Sequence, residues 1–369
     1  MSVKTSTSNY QPGQRIEHVQ KKYGLKRVVK LASNENPFGP SKKATDKISK
    51  LISDVNRYPD GSCIQLKKAI KKFLSKSYIN LDNITIGNGS NEILELVART
   101  YLSADSESLF SKHSFIVYKI ISNSMKAKII ESKPITKKGT DYLGTDLIDM
   151  KSKITKKTNV IFIANPNNPT GTIVDFKELE GFIKSVPKRI IIVIDEAYYE
   201  YSSYEGHKDA ISLIKKYPNV IVTRSFSKIY ALAGLRIGYG LASKNITQKI
   251  NDKRQPFNVN YIAQSMAAIS LNDKKFVNKS LRENAASRKW LMDQLKKLNI
   301  NYLDSNTNFL TINLGANANF VFQKLLSLGV ILRPLENYGL KNYLRVTIGK
   351  KIECTTFIKK LKKVLSSIK

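Results

Sequence analysis

One lysine of the sequence lies in a context that suits covalent chemistry. Lys228 ends the segment "SFSK", and Arg236 follows it in the tight sequence "GLRIG". A lysine amine becomes a nucleophile when its surroundings favour the neutral form, and hydroxyls beside an arginine suit a bound phosphate. The stretch therefore predicts an amine nucleophile next to an anion site that includes Ser225, Ser227 and Arg236.

Three further segments place polar groups where predicted strands end. "GNGSNE" follows a strand-like run and opens a helix, so that its N–H groups and Ser90 suit an anion. "NPNNPTG" presents side-chain amides, among them Asn168, and "IIIVIDEAYYEY" ends an apolar strand with Asp195, followed by Tyr198. The first two segments are also ordinary turn sequences. A carboxylate at the end of an apolar strand is costly to bury unless a cation pairs with it.

These residues together match the needs of one cofactor. Pyridoxal 5'-phosphate forms a Schiff base with a lysine, pairs its pyridinium nitrogen with a carboxylate and needs a phosphate site. Lys228 and Asp195 would fill the first two roles. The three histidines, His18, His113 and His207, are scattered, so no metal site is predicted. The Gly-x-Ser-x-Gly elbow of a serine hydrolase does not occur in the sequence.

The pattern of apolar residues predicts an α/β fold that positions these groups. "NVIFIANP", "RIIIVIDEA" and "NVIVTRSFS" are short, rich in β-branched residues and largely apolar, which is typical of parallel strands covered on both faces. "VDFKELEGFIKSV", between the first two, has helical periodicity and completes a βαβ unit. Ligands of such sheets bind beyond the carboxyl ends of the strands, where the polar segments lie.

The pattern changes after residue 258. A long helical stretch is followed by strand-like runs such as "NFLTINL" and "NYLRVTIG". We predict an N-terminal arm (residues 1–33) that packs on the small domain and on a partner subunit, a large cofactor-binding domain (residues 34–258) and a small C-terminal domain (residues 259–369).

The composition is typical of a globular enzyme, apart from its charge. Of the 369 residues, 62 are Lys or Arg and 29 are Asp or Glu, which gives a formal net charge of +33. Clusters such as "KKAIKKF" fall at helical spacing beside apolar residues, as on the solvated face of a helix. No apolar run approaches the ~20 residues of a membrane helix, and Cys63 and Cys354 give no disulfide framework. We predict a cytoplasmic enzyme that binds neither nucleic acid nor membrane.

The ordered motifs resemble a known enzyme family. "NPNNPTG", "IDEAYYEY" and "SFSKIYALAGLRIG" are similar, in order and spacing, to the class I and II pyridoxal-phosphate aminotransferases of fold type I. The segments that resemble the histidinol-phosphate aminotransferase branch are "YQPG", "KLASNENPFGPS", "RYPDG", "RQPFNVN" and "LRVTIG". The resemblance covers nearly the whole chain. It implies a large domain with a mostly parallel sheet flanked by helices, and a smaller α/β domain.

The resemblance also implies a reaction. An amino donor would pass its amine to the cofactor, and a 2-oxo acid would then collect it in a ping-pong cycle. The expected pair is histidinol phosphate and 2-oxoglutarate, which give imidazole acetol phosphate and glutamate in histidine biosynthesis. Alternatives with the same cofactor motifs are an aromatic amino-acid aminotransferase and threonine-phosphate decarboxylase. An alternative from another class is a non-catalytic, basic nucleic-acid-binding protein.

Roles near the cofactor ring follow from the resemblance. Lys228 would form the Schiff base and then act as general acid and base in the proton shift. Asp195 would pair with the pyridinium nitrogen, while Asn168 and Tyr198 would donate hydrogen bonds to the phenolic oxygen of the ring. Phe115 would stack on the ring.

The resemblance implies further roles at the phosphate and the substrate. The side chains expected to bind the cofactor phosphate are Ser90, Asn91, Ser225, Ser227 and Arg236. Tyr58 would reach this phosphate from the neighbouring subunit, which implies a homodimer with shared active sites. Arg345 would bind the substrate carboxylate through two parallel hydrogen bonds. Tyr10, Asn34 and Arg333 are candidates for the distal group of the substrate. Tyr58 and Tyr198 could also be ordinary half-buried aromatic residues, and Arg333 a surface arginine.

Overall fold

Twelve strands occur in the computed structural model, which describes residues 13–367. In chain order they are β1 (Val29–Lys30), β2 (Ile84–Gly87), β3 (Glu107–Ser111), β4 (Lys128–Ser132), β5 (Thr158–Ala164), β6 (Ile191–Asp195), β7 (Val220–Ser225), β8 (Gly238–Leu241), β9 (Phe309–Asn313), β10 (Val330–Ile331), β11 (Arg333–Pro334) and β12 (Tyr343–Thr347). They form a seven-stranded sheet in the order β2-β8-β7-β6-β5-β3-β4, a three-stranded sheet in the order β11-β12-β9, and the pair β1-β10.

Fifteen α-helices connect and cover these sheets in the described part of the chain. They are α1 (Ile16–Tyr23), α2 (Lys42–Thr45), α3 (Ile48–Ile52), α4 (Ile64–Leu74), α5 (Gly89–Tyr101), α6 (Val117–Ser124), α7 (Leu147–Ser152), α8 (Phe176–Ser185), α9 (Tyr199–Tyr204), α10 (Ile211–Lys216), α11 (Lys244–Asn251), α12 (Tyr261–Leu271), α13 (Lys274–Lys297), α14 (Ala318–Ser327) and α15 (Lys351–Ser366). Among residues 13–367, no helix combines the length and apolar character that crossing a bilayer requires.

The large sheet is mostly parallel, as the apolar runs predict. Strands β3 to β7 pair in parallel, whereas β8 pairs antiparallel with both β7 and β2. Every residue of β6 and of β7 is buried, because helices cover both faces of the sheet. The parallel direction brings the carboxyl ends of β5, β6 and β7 to one edge, where Asp195 and Ser225 are the last strand residues.

Three large hydrophobic cores pack against the sheets, and the third of them contains Tyr118. The first packs beneath the large sheet and includes Ala263 and Met266 of α12, a helix that the sequence places in the small domain. The second surrounds the small sheets and includes Val19 and Leu31 from the segment predicted as an N-terminal arm. Strand β1 of that segment pairs with β10. The domain limits at residues 33 and 258 stay a prediction, and the packing of α12 favours a boundary further along the chain.

Candidate active site

A cavity of about 240 Å³ opens at the carboxyl edge of the large sheet. The ends of β5, β6 and β7 and the start of α5 form one side, and β11 and β12 of the small sheet contribute the other. The predicted site residues that line it are Asn34, Ser90, Asn91, Phe115, Asn168, Asp195, Tyr198, Ser225, Ser227, Lys228, Arg236, Arg333 and Arg345. Two predicted residues are not among them: Tyr58 lines a different groove, and Tyr10 lies outside the described residues.

Lys228 lies three residues beyond the end of β7, with its Nζ 5.6 Å from the centroid of the Tyr198 ring. Burial, together with the positive charges of Arg345 and Arg236, lowers the pKa of Lys228 to about 8. The carboxylates of Glu35 and Asp195 act in the opposite direction. A lysine with this pKa is partly neutral at physiological pH and can therefore act as a nucleophile.

Asp195 is held from two sides at the end of β6. Tyr118 Oη donates to Asp195 Oδ2 at 3.0 Å, and Thr223 Oγ1 donates to Asp195 Oδ1 at 3.1 Å. Burial raises the pKa of Asp195, while these two hydrogen bonds, the backbone N–H of Ala197 and the charge of Lys228 lower it. A cationic ring nitrogen in the cavity would supply the partner that a buried carboxylate requires.

Asn168 and Tyr198 each accept a hydrogen bond from within the chain. Arg345 Nη1 donates to Asn168 Oδ1 at 2.5 Å, and Asn34 Nδ2 donates to Tyr198 Oη at 2.9 Å. Thr347 Oγ1 donates in turn to Asn34 Oδ1 at 3.1 Å. Because their acceptor oxygens are engaged, Asn168 presents amide N–H groups and Tyr198 its O–H to a ligand oxygen.

Hydroxyls, an arginine and a helix N-terminus meet at one end of the cavity. Ser225 Oγ accepts from the N–H of Ser227 at 3.1 Å, and Arg236 Nη1 donates to Ser227 Oγ at 3.3 Å. Helix α5 begins at Gly89, whose φ is +76°, and a Cβ there would lie 2.6 Å from Arg236 Nη2. Glycine therefore lets the guanidinium approach the first turn of α5, which contains Ser90. The arrangement suits a bound dianion.

Arg333 and Arg345 form the opposite wall. Both are largely buried, at 8% and 6% exposure, which excludes the alternative that Arg333 is a surface arginine. Arg345 also donates to the carbonyl of Ala32 at 2.9 Å, and its guanidinium lies 5.3 Å from the Phe309 ring centroid. These contacts fix the direction of its side chain toward Asn168 and the cavity.

Tyr58 is 85% exposed and lies away from the cavity within one chain. Its ring stacks on Phe257 with a centroid distance of 5.0 Å. Ile52 and Val55 are exposed in the same part of the chain, before Tyr58. The exposure also excludes the alternative that Tyr58 is an ordinary half-buried aromatic residue.

The family follows from comparison with known proteins. The model of the family described as "Aminotransferase class I and II" matches residues 26–361 of the chain. The chain belongs to this aminotransferase family. Its substrates are therefore amino and 2-oxo compounds, in agreement with the small-molecule partners predicted from the sequence.

Relatives of this aminotransferase are similar over almost their whole length. It is 41% identical over 355 residues to histidinol-phosphate aminotransferase 1 of Idiomarina loihiensis, covering 96% of this chain and 94% of the relative. A Sinorhizobium meliloti histidinol-phosphate aminotransferase, crystallised in complex with pyridoxal-5'-phosphate, superposes with a TM-score of 0.87 at 24% identity, covering 100% and 99%. The Clostridium acetobutylicum enzyme of the same name superposes with a TM-score of 0.84 at 27% identity, and the match covers 92% of this chain and 100% of that chain. The predicted family and fold are confirmed.

Some residues of the aminotransferase site were not predicted. Thr223 precedes Ser225 by two positions in β7, and strand alternation could have placed both on one face. Ala32 lies in the quoted segment "KLASNENPFGPS" but was given no role, and Tyr338 comes from a segment without a recognised motif; both line the cavity. Tyr118 contacts Asp195 from helix α6, and no local pattern indicates this contact.

Proposed function

We propose that this aminotransferase uses pyridoxal 5'-phosphate to exchange an amine between histidinol phosphate and 2-oxoglutarate. One observation carries the proposal: Lys228 and Asp195 line the same cavity, together with the anion site at the start of α5. The names of the relatives support this reaction over those of an aromatic amino-acid aminotransferase or threonine-phosphate decarboxylase.

The residues present fit the cofactor. Asp195 would bind the ring nitrogen, Asn168 and Tyr198 the phenolic oxygen, and Phe115 a face of the ring. Its phosphate would be bound by Ser90, Asn91, Ser225, Ser227 and Arg236, which line one end of the cavity. When bound, the cofactor provides an electron sink for negative charge that develops on the substrate carbon.

The chain's own residues would perform the remaining steps. Lys228 would accept a proton from the amine-bearing carbon of the substrate and deliver it to the carbon on the other side of the substrate nitrogen, and its lowered pKa suits this task near neutral pH. Arg345 and Arg333 would hold the anionic end of each substrate through charge-assisted hydrogen bonds. Asn34 orients the Tyr198 hydroxyl through its hydrogen bond, and its predicted contact with the distal group of the substrate stays a prediction.

The pair of arginines supports histidinol phosphate as amino donor. A phosphate monoester carries up to two negative charges, and two buried guanidinium groups on one wall match that charge better than a phenyl ring. 2-Oxoglutarate is also a dianion, so the same wall would serve both halves of the ping-pong cycle.

We also propose a homodimer in which Tyr58 reaches the cofactor phosphate of the partner subunit. The support is its 85% exposure and its stack on the exposed Phe257, near exposed Ile52 and Val55. Large apolar side chains that are exposed together are typical of an interaction surface.

A cytoplasmic location is likewise our proposal. Cys63 and Cys354 are both buried and form no disulfide, which suits a reducing compartment.

Half-reactions of the purified protein test the proposed function. Histidinol phosphate added to the cofactor-loaded protein should abolish the visible absorbance of the bound cofactor, and 2-oxoglutarate should restore it. Phenylalanine and phosphothreonine serve as competing substrates. Faster conversion of phenylalanine, or release of CO₂ from phosphothreonine, would contradict the assigned substrate.

A further inference from the structure

Tyr118 is a buried residue of helix α6 that contacts the site from outside the cavity. Its side chain is 0% exposed, and its hydroxyl donates to Asp195 Oδ2 at 3.0 Å. A phenol that is fully removed from water needs a hydrogen-bond partner, and here the partner is the carboxylate expected to face the cofactor nitrogen. The other Asp195 oxygen accepts from Thr223, on the adjacent strand β7.

Aromatic neighbours fix the ring of Tyr118. It stacks on Phe162 at a centroid distance of 4.9 Å and an interplanar angle of 9°. Phe115, which lines the cavity, meets it edge-on at 5.9 Å and 89°, and Phe110 lies at 6.0 Å. These contacts hold the plane of the ring, and from this position its hydroxyl donates to Asp195. The ring also links this carboxylate to Phe115.

The hydrogen bond opposes the effect of burial on Asp195. Burial favours the neutral acid, and the Tyr118 hydroxyl is the largest influence in favour of the carboxylate, ahead of Thr223 and Lys228. Burial and the negative charge of Asp195 raise the pKa of Tyr118 well above its usual value, so the phenol stays a neutral donor. Titratable groups that act on Asp195 from other elements include Tyr198, before α9, and Lys228, after β7.

We propose that Tyr118 is a positioning residue that keeps the Asp195 carboxylate ionised and aimed at the cofactor ring nitrogen. The inference rests on the proposed function, because it assumes that this ring nitrogen is the partner of Asp195. Thr223 reaches Asp195 from the neighbouring strand, whereas Tyr118 joins it to helix α6 and to Phe115. Tyr118 therefore couples the orientation of the carboxylate to the residue expected to stack on the ring.

The variant Tyr118→Phe removes the hydroxyl and keeps the aromatic ring. Tyr101→Phe is a matched control, because the Tyr101 hydroxyl is buried without a partner and its ring packs against the same core as Tyr118. We expect Tyr118→Phe to raise the dissociation constant of pyridoxal 5'-phosphate for the full-length, cofactor-free chain about tenfold, which is the scale of a hydrogen bond to a charged group. The weakening should grow as pH falls, because the pKa of Asp195 rises when the donor is lost. Tyr101→Phe should leave the dissociation constant unchanged.

A double-mutant cycle separates positioning from a structural role. In an Asp195→Asn background, Tyr118→Phe should cause no further tenfold loss of cofactor affinity, because the group on which it acts is gone. An equal loss in both backgrounds would overturn the proposal. Wild-type cofactor affinity and pH dependence in Tyr118→Phe would also overturn it, as would a melting temperature well below that of Tyr101→Phe. Failure of the proposed function would be distinguishable, since wild-type protein would then bind the cofactor without converting histidinol phosphate.

Discussion

Arg333 and Arg345 lie directly opposite each other on the antiparallel strands β11 and β12. Residues paired in this way point to the same face of a sheet, and both arginines line the cavity that contains Lys228. Two positive charges on one wall attract dianions and disfavour a protonated amine nearby. Arg345 is indeed the second cause, after burial, of the lowered pKa of Lys228. Substrate binding and the state of the nucleophile thus depend on the same residue.

Replacement of Arg333 tests the assigned substrate charge. Arg333→Ala should lower kcat/KM for histidinol phosphate roughly thirtyfold, because the loss of one charge-assisted hydrogen bond removes about 2 kcal/mol of transition-state stabilisation. Its effect on phenylalanine should be small. Arg282→Ala, at a side chain that is 69% exposed, is the control. An equal decrease in kcat/KM for histidinol phosphate and phenylalanine would show that Arg333 does not bind the phosphate.

Lys228→Ala tests the covalent attachment. We expect the variant to lose both turnover and the visible absorbance of the bound cofactor, because no other lysine among residues 13–367 lines the cavity. Lys244→Ala, at a side chain that is 74% exposed, should keep both. Spectra and steady-state rates of the two variants provide the measurement, and transamination by Lys228→Ala at the wild-type rate would refute the assignment.

The lowered pKa of Lys228 predicts how cofactor attachment depends on pH. The neutral amine is the nucleophile. The rate at which pyridoxal 5'-phosphate joins the cofactor-free protein should therefore increase with pH, with a midpoint at about pH 8. Arg345→Gln removes a positive charge that lowers this pKa, and the midpoint should therefore move to higher pH. Stopped-flow absorbance measures both proteins. A midpoint that stays fixed in Arg345→Gln would argue against this coupling.

A buried ion pair behind the site predicts a stability effect. Arg224 Nε and Nη2 donate to Glu196 Oε2 at 3.0 and 2.8 Å, and both side chains are almost fully buried. Arg224→Met leaves the Glu196 carboxylate unpaired and should reduce the free energy of unfolding by about 3–5 kcal/mol. Lys216→Met, which breaks the more exposed pair with Glu180, should change it by less than about 1 kcal/mol. Urea unfolding measures the free energy of unfolding of both variants. A similar decrease in the two would contradict the expectation that the buried ion pair matters more than the exposed one.

The local sequence was sufficient to predict the site residues that lie at the ends of strands. Asp195 and Ser225 end two apolar runs, and the parallel pairing of β6 and β7 brings them to one edge. Arg224 precedes Ser225 in β7 and Glu196 directly follows the end of β6, so the alternation of side chains could have indicated an ion pair on the opposite face. Their pairing nevertheless depends on the register between strands, which the sequence does not state.

Contacts between distant elements were beyond local patterns. Tyr118 and Asp195 are 77 residues apart, and neither helix periodicity nor strand alternation relates them. The contribution of α12 to the first core was missed for a similar reason: its low amphipathicity leaves open which core it joins. In both cases the assembled fold determines which residues come into contact.

Helix α13 contributes Leu281 to the first core and Leu291 and Leu295 to the second. Its 24 residues form one uninterrupted rod, about 36 Å long at 1.5 Å per residue. One stiff helix therefore joins the core behind Lys228 to the core behind the two arginines, and we expect any relative motion of the two cores to bend or tilt it. Glycine in place of Ala285 and Ala286, near its middle, should soften this helix, and the spacing of the two cores would then no longer be set by a single stiff element.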